Sequence, residues 1–210
     1  MVDVGARRGP AAALAVTAMP VGWTPDDLAP QAGRAFRHAR RRFLHGDRID
    51  MLTIAAELGV NRVTLYRWIG RREELLVRIL WSLGRLTLRE LGEEISARDW
   101  DRTRVPEVLS RYVLDVLSNH GTRVFLRTEG DLAMRLLTTS EWGFQSALVH
   151  HVTGMLRADA AVGVRGDDEP LADLAYAAVR IMESFVYSDR ITGEEPDAER
   201  ARRVLHVLLR

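Results

Sequence analysis

Asp50 to Leu76 reads DMLTIAAELGVNRVTLYRWIGRREELL, and this stretch decides the fold. Asp50 is placed to cap a short helix whose Ile54, Ala55 and Leu58 share an inner side. Gly59 ends that helix and supplies the positive φ that reverses the chain. Asn61 then caps a second short helix, Arg62 to about Trp68, stopped by Gly70. Ile54, Ala55, Leu58, Val60 and Leu65 are small or aliphatic, so two short helices can pack tightly through them. Short helix, glycine turn and short helix at this spacing predict a helix-turn-helix.

The second helix leaves Arg62, Val63, Thr64, Tyr66, Arg67 and Trp68 on its outer side. A helix of this kind fits the major groove of B-DNA, with side chains near its N-terminus reaching base edges. Arg62 suits a guanine edge, and the methyls of Val63 and Thr64 suit thymine methyls. The hydroxyls of Thr64 and Tyr66 suit phosphate oxygens, which set register without reading sequence. Arg72 opens a long helix, where backbone N–H groups and a positive charge together suit a phosphate.

Charge is distributed in agreement with this. All 30 basic residues are arginine, and the net charge of the chain is only +1. Arg34 to Arg78 nevertheless carries 11 arginines against 5 acids, whereas Ile79 to the end carries 17 against 21. A basic head on a mildly acidic body predicts that only the head meets a polyanion. Cysteine is absent, which removes disulfides, thiolate metal sites and thiol nucleophiles from consideration. No phosphate loop, nucleophile elbow or HExxH pair is found, so no catalysis, cofactor or metal is expected. The adjacent His150 and His151 fall on different helix faces and do not form a metal pair.

The remaining punctuation predicts an all-α chain. Thr24-Pro25-Asp26-Asp27 reads as the start of a first helix that runs to Gly46 with Leu28, Ala32, Ala35, Phe36, Ala39 and Phe43 inside. A long fourth helix is expected from about Arg72 to Ala97. Further helices are expected at about 105–119, 122–129, 131–138, 140–160, 168–191 and 197–209. Three regions follow: a disordered arm over 1–23, a DNA-binding head over 24–70, and a ligand-sensing and dimerisation domain over 71–210. Arg7-Arg8 and the apolar run Ala11 to Met19 faintly resemble a secretory signal, but the run is weakly apolar. No stretch approaches a membrane span, and a cytoplasmic location with no membrane partner is expected.

The helix-turn-helix, the Thr64-Leu65-Tyr66 of its second helix and the basic-Glu-x-Leu-Leu start of the next helix resemble the TetR family of regulators. The resemblance covers residues about 26–80. It implies an all-helical homodimer, usually a repressor, released from a palindromic operator on double-stranded DNA by a small-molecule effector. The chain departs from the family pattern in places. Val63 replaces a small residue or proline, Trp68-Ile69-Gly70 replaces the commoner His/Tyr-Phe-Pro, Arg71 stands at the cap and Arg72 replaces a lysine. Met51 and Leu52 stand where polar, DNA-touching residues are common, so no backbone contacts are carried to that helix.

In the body, the helix after Pro170 is apolar around most of its circumference. Asp173, Arg180 and Glu183, with Tyr176 and Tyr187, fall in one arc of about 80°. Such a helix is buried on most sides, by its own domain and by a twin subunit. With the preceding helix it would form half of a four-helix dimer interface, for which Leu148, Met155, Leu174, Ile181 and Phe185 are the candidates. Tyr112, Phe125, Trp142, His151 and Tyr176 are the candidate effector-binding residues, being aromatic or semi-polar. The run Glu183 to Asp197 resembles the QsdR-like branch, which implies a lactone or fatty-acyl effector. The rival reading is a helix-turn-helix protein or activator with no small-molecule inducer, controlled by a protein partner.

Overall fold

The computed structural model describes residues 18–96, 101–166 and 168–210. Residues 1–17 of the arm expected over 1–23 lie outside the described residues, as do residues 97–100 and Asp167. Eleven α-helices and no strand occur among the described residues. The head comprises α1 (Pro30–Leu44), α2 (Met51–Glu57) and α3 (Arg62–Ile69). α4 (Arg72–Ser96) carries the chain into a body of α5 (Arg104–Ser118), α6 (His120–Thr128), α7 (Gly130–Thr138), α8 (Phe144–Ala161), α9 (Leu171–Val186), α10 (Ser188–Ile191) and α11 (Ala198–Leu208).

The caps form as the sequence dictates. Asp50 Oδ1 accepts from Thr53 N at 2.8 Å, and Asn61 Oδ1 accepts from Thr64 N at 2.8 Å. Gly59 and Gly70 adopt φ of +67° and +76°, which a side chain would strain. Phe36, Ile54, Leu65 and Ile69 are wholly buried where α1, α2 and α3 meet.

Three helices differ from the expected ones. Thr24 caps only a turn of 3-10 helix, Pro25–Asp27, and α1 starts afresh at Pro30. Proline disfavours helical backbone in the residue before it, and Ala29 is accordingly extended at ψ 153°. The helix expected over 140–160 begins at Phe144 instead, because Gly143 turns the chain with φ +80°. The last long helix of the body breaks at Tyr187, leaving Ser188–Ile191 as a separate turn.

Residues 18–23 are not part of an arm: Met19 and Trp23 are both buried. Met19 N donates to Trp142 O at 3.0 Å, and Trp81 Nε1 donates to Trp23 O at 3.1 Å. The Trp23 ring meets Phe36 edge-on with centroids 5.6 Å apart. This strap joins α1 of the head, α4 and the turn before α8 through the buried side chains of Met19 and Trp23.

The body is fastened internally by a buried charge cluster. Asp159 on α8 accepts from Arg104 Nε on α5 at 2.7 Å, and Arg165 Nε lies 3.7 Å away. Arg165 also donates to Leu209 O at 2.5 Å, fixing the end of the chain. Arg104 also donates to Met155 O and Arg165 to Glu169, which offsets much of the cost of burying the cluster, while Arg165 Nε and Asp159 Oδ2 are left without a hydrogen bond.

Candidate DNA-binding surface and effector cavity

The outer side of α3 is built in layers. Leu65 and Ile69 anchor the helix in the head, while Arg62, Val63 and Arg67 are exposed, Val63 at 78%. An apolar side chain so open on a short capped helix is placed to meet another surface. Arg62 Nη2 donates to Tyr66 Oη at 3.0 Å, and its guanidinium lies 5.1 Å from the Tyr66 ring centre. Tyr66 therefore holds Arg62 along the helix. Thr64, Tyr66 and Trp68 are half-buried. On α2, Leu52 is exposed and Met51 is buried.

Arg72 has a partner that the sequence does not announce. Its Nη2 donates to both carboxylate oxygens of Glu129, at 2.7 and 2.8 Å, and its Nε donates to Ile49 O at 2.6 Å. Only 18% of the Arg72 side chain and 17% of that of Glu129 is exposed. Arg48 Nε lies 3.8 Å from the same carboxylate, with its side chain mostly in solvent. The first residue of α4 is thus tied to the C-terminal cap of α6, and a phosphate drawing on Nη2 of Arg72 competes with Glu129.

Helix α6 abuts the head elsewhere too. A Cβ at Gly121 would collide with the Phe43 carbonyl, so only glycine permits this approach to α1. One turn on, Phe125 meets Phe43 edge-on with centroids 5.8 Å apart.

Inside the body lies a cavity of about 150 Å³ bounded by α4 to α9 and the end of α9. Leu80, Leu83, Phe144, Leu148, Met182 and Val186 supply apolar wall, and Thr122 and Leu126 bring α6 into it. Its polar groups are few. Tyr112 enters from α5 beside Gly84, where any Cβ would come within 2.7 Å of the phenol oxygen. Tyr187 is 4% exposed, and its hydroxyl has no hydrogen-bond partner. Glu183 has neither carboxylate oxygen hydrogen-bonded. Arg180 Nη1 comes within 2.6 Å of one of those oxygens, but out of line for a hydrogen bond and itself 46% exposed. Burial prevails over that neighbour and pushes the Glu183 carboxyl up to about 7. Burial also raises both phenols, with Asp115 adding to Tyr112 and Glu183 adding to Tyr187.

Of the five residues expected to bind an effector, Tyr112 lines this cavity and the others do not. Phe125 is spent on the contact with Phe43. Trp142 is buried in the turn that receives Met19. His151 packs edge-on against Trp81 with centroids 6.4 Å apart, and burial, foremost, depresses its pKa. Tyr176 stands outward at 53% exposure. Among the expected dimer residues, Leu148 is a correction: it lies one turn after Phe144 and faces the cavity, 3% exposed. Met155, Leu174, Ile181 and Phe185 are half-buried in the single chain. Glu183 and Tyr187 were legible only as part of the polar arc of α9, yet the edge of that arc borders the cavity. An acid within a largely apolar helix was the available signal.

A capped helix-turn-helix with a basic outer face, carried by a long helix on an all-helical body with an internal cavity, defines a class of DNA-binding regulators. The chain belongs to the TetR family: residues 102–210 match the family model described as the tetracyclin repressor-like C-terminal domain. In fold it is similar to the transcriptional repressor QsdR of R. erythropolis, at 26% identity and TM-score 0.75, over 85% of this chain and 94% of that one. It is also similar to the fatty acid degradation regulator FadR of Bacillus halodurans (10% identity, TM-score 0.54, covering 86% and 95%). A third likeness is to the multidrug binding protein EbrR complexed with imidazole (18%, TM-score 0.53, covering 87% and 96%). These last two show the fold alone. No curated protein matches the chain by sequence. Among the described residues, no helix is long and apolar enough to cross a membrane.

Proposed function

We propose that this regulator is a cytoplasmic repressor that binds a palindromic operator as a homodimer and leaves it when a small, mainly apolar effector enters the body. The observation that carries the DNA-binding half is the surface of α3, where Arg62, Val63 and Arg67 project from a helix held rigid by its caps and its buried face. Arg62, Val63 and Thr64 read base edges, and Tyr66, Arg67 and Trp68 engage backbone and sugar. Arg72 adds a phosphate contact once it is released from Glu129. Two such heads fit successive major grooves about 34–36 Å apart when α8 and α9 pair across a two-fold axis. Met155, Leu174, Ile181 and Phe185 are the residues of that face.

The effector half rests on the largely apolar cavity of the body. Thr122 and Leu126 of its wall belong to the helix whose end holds Arg72 through Glu129. An occupant that displaces α6 therefore alters how the head is held, and a differential affinity between the two arrangements is all that release requires. Of the effector classes implied by resemblance, a fatty-acyl carboxylate would meet Asp115 and Glu183 with no cation in the lining, whereas a lactone carbonyl can accept from the two phenols.

Selection of bound sequences from random duplex DNA, with the stoichiometry of the winning complex, tests this reading. An enriched palindrome occupied by two or four chains is expected. No enrichment above a salt-sensitive background would overturn it.

A further inference from the structure

The cavity combines features that the proposed apolar effector does not by itself account for. Its lining contains two acids, Asp115 and Glu183, two phenols, Tyr112 and Tyr187, and no arginine or histidine. Asp115 is engaged, accepting from Thr87 Oγ1 at 3.1 Å. Glu183 and the buried Tyr187 hydroxyl lack hydrogen bonds, the Glu183 side chain is 11% exposed, and its one charged neighbour is the half-exposed Arg180 at 2.6 Å. Leaving polar groups buried without hydrogen bonds is costly, and a ligand that bonds them recovers that cost.

The chemistry that pairs them is specific. A carboxylate head would be repelled by both acids. A lactone or ester offers acceptors alone, so it can answer the phenols but bonds Glu183 only in its protonated form. A protonated nitrogen donates to the ionised Glu183 and is drawn to the electron-rich faces of aromatic rings. We propose, on the reading that this cavity is the effector site, that the effector is a small apolar molecule carrying one basic nitrogen, which Glu183 binds with Tyr112 and Tyr187 beside it.

The volume admits a single ring with a short side chain, since a cavity of about 150 Å³ accommodates benzene. Benzylamine, benzyl alcohol and benzoate are therefore matched probes that differ only in head group. The charges bearing on Glu183 and its phenols are known on each side: Arg180 on α9, Asp115 on α5 and Asp189 on α10. α8 contributes only Phe144 and Leu148 to the lining, and α11 contributes nothing to it. Glu183 becomes ionised as pH rises through about 7, while benzylamine stays protonated. Amine affinity therefore rises from pH 6 to pH 8, whereas an acceptor that needs the protonated carboxyl weakens over the same range.

The test is calorimetric titration of the full chain, without DNA, with the three probes at pH 6 and pH 8, repeated on Glu183→Gln. A charge-assisted bond predicts benzylamine at least about tenfold tighter than benzyl alcohol at pH 8, with benzoate weakest and the amine preference lost in the variant. Equal or tighter binding of the alcohol or benzoate overturns the proposal. So do amine affinity that falls with pH, a preference that survives in Glu183→Gln, and no binding of any probe. The pH comparison uses the unaltered chain, so it stands even if the variant misfolds. Because no DNA is present, a failed amine leaves the repressor reading to be judged by operator selection.

Discussion

Glu129→Gln is the perturbation that tests most directly how the body holds the head. In the structure the Glu129 carboxylate takes two bonds from one Arg72 nitrogen, with both side chains less than a fifth exposed. A hydrogen bond between charged groups contributes about 1.5–3 kcal/mol, and partial exposure at this site brings that to about 1–2. Arg72 breaks this pair on reaching for a phosphate, so removing the charge of Glu129 returns that energy to the DNA complex. Affinity for each head then rises about tenfold, for operator and random DNA alike. The wild-type complex makes the same Arg72 contact, so the dependence of log affinity on log salt stays nearly unchanged. Fluorescence anisotropy on operator and scrambled duplexes at several salt concentrations measures both quantities. A variant that binds more weakly would refute the reasoning. The pair would then be the clamp that orients the head, and Arg72 would touch no phosphate.

Three other outcomes are expected. Arg62→Ala lowers operator affinity and relaxes base preference at one position of each half-site, whereas Arg72→Ala weakens all DNA roughly equally; repeating the sequence selection on both variants separates these effects. Gly121→Ala drives a Cβ into the Phe43 carbonyl and pries α6 from α1, so the melting temperature falls by several degrees and operator affinity drops; an unchanged melting curve would show that this contact yields freely. Glu183→Gln stabilises the protein at pH 8 and not near pH 4. The folded carboxyl titrates near 7 against 4.5 unfolded, so its destabilisation sets in as pH rises above 4.5 and is complete above 7. Equal melting shifts at both pH values would place that carboxyl in solvent.

The head was legible because its signals are local. Asp50, Gly59, Asn61 and Gly70 each fix a cap or a turn through neighbours within a few residues, and the structure has each in that role. Pro30, Gly143 and Tyr187 were harder. Each sits inside a stretch of helical periodicity, and only the backbone reveals that the pattern bridges two separate helices. The cavity was the least legible part. Periodicity separates the inside of a helix from its outside, but it does not say which inward positions leave space. Tyr112 faces the gap beside Gly84, while Phe125, equally aromatic and equally inward, fills a contact with α1. Nor could the pairing of Arg72 with Glu129 be read, since the two lie far apart in sequence and meet only through the docking of α6.

The strap of Met19 to Trp23 has a consequence for how the chain is made. Synthesis runs from the N-terminus, so Trp23 leaves the ribosome before every helix of the head, while Trp142, whose carbonyl receives Met19, emerges midway through the body. Phe36 can shelter one side of the Trp23 ring early, and Trp81 follows with α4. The last anchor arrives only when the turn before α8 has formed. Final closure of this early segment therefore waits on a turn more than a hundred residues further along the chain, and until then the apolar segment is open to whatever holds nascent chains in the cell.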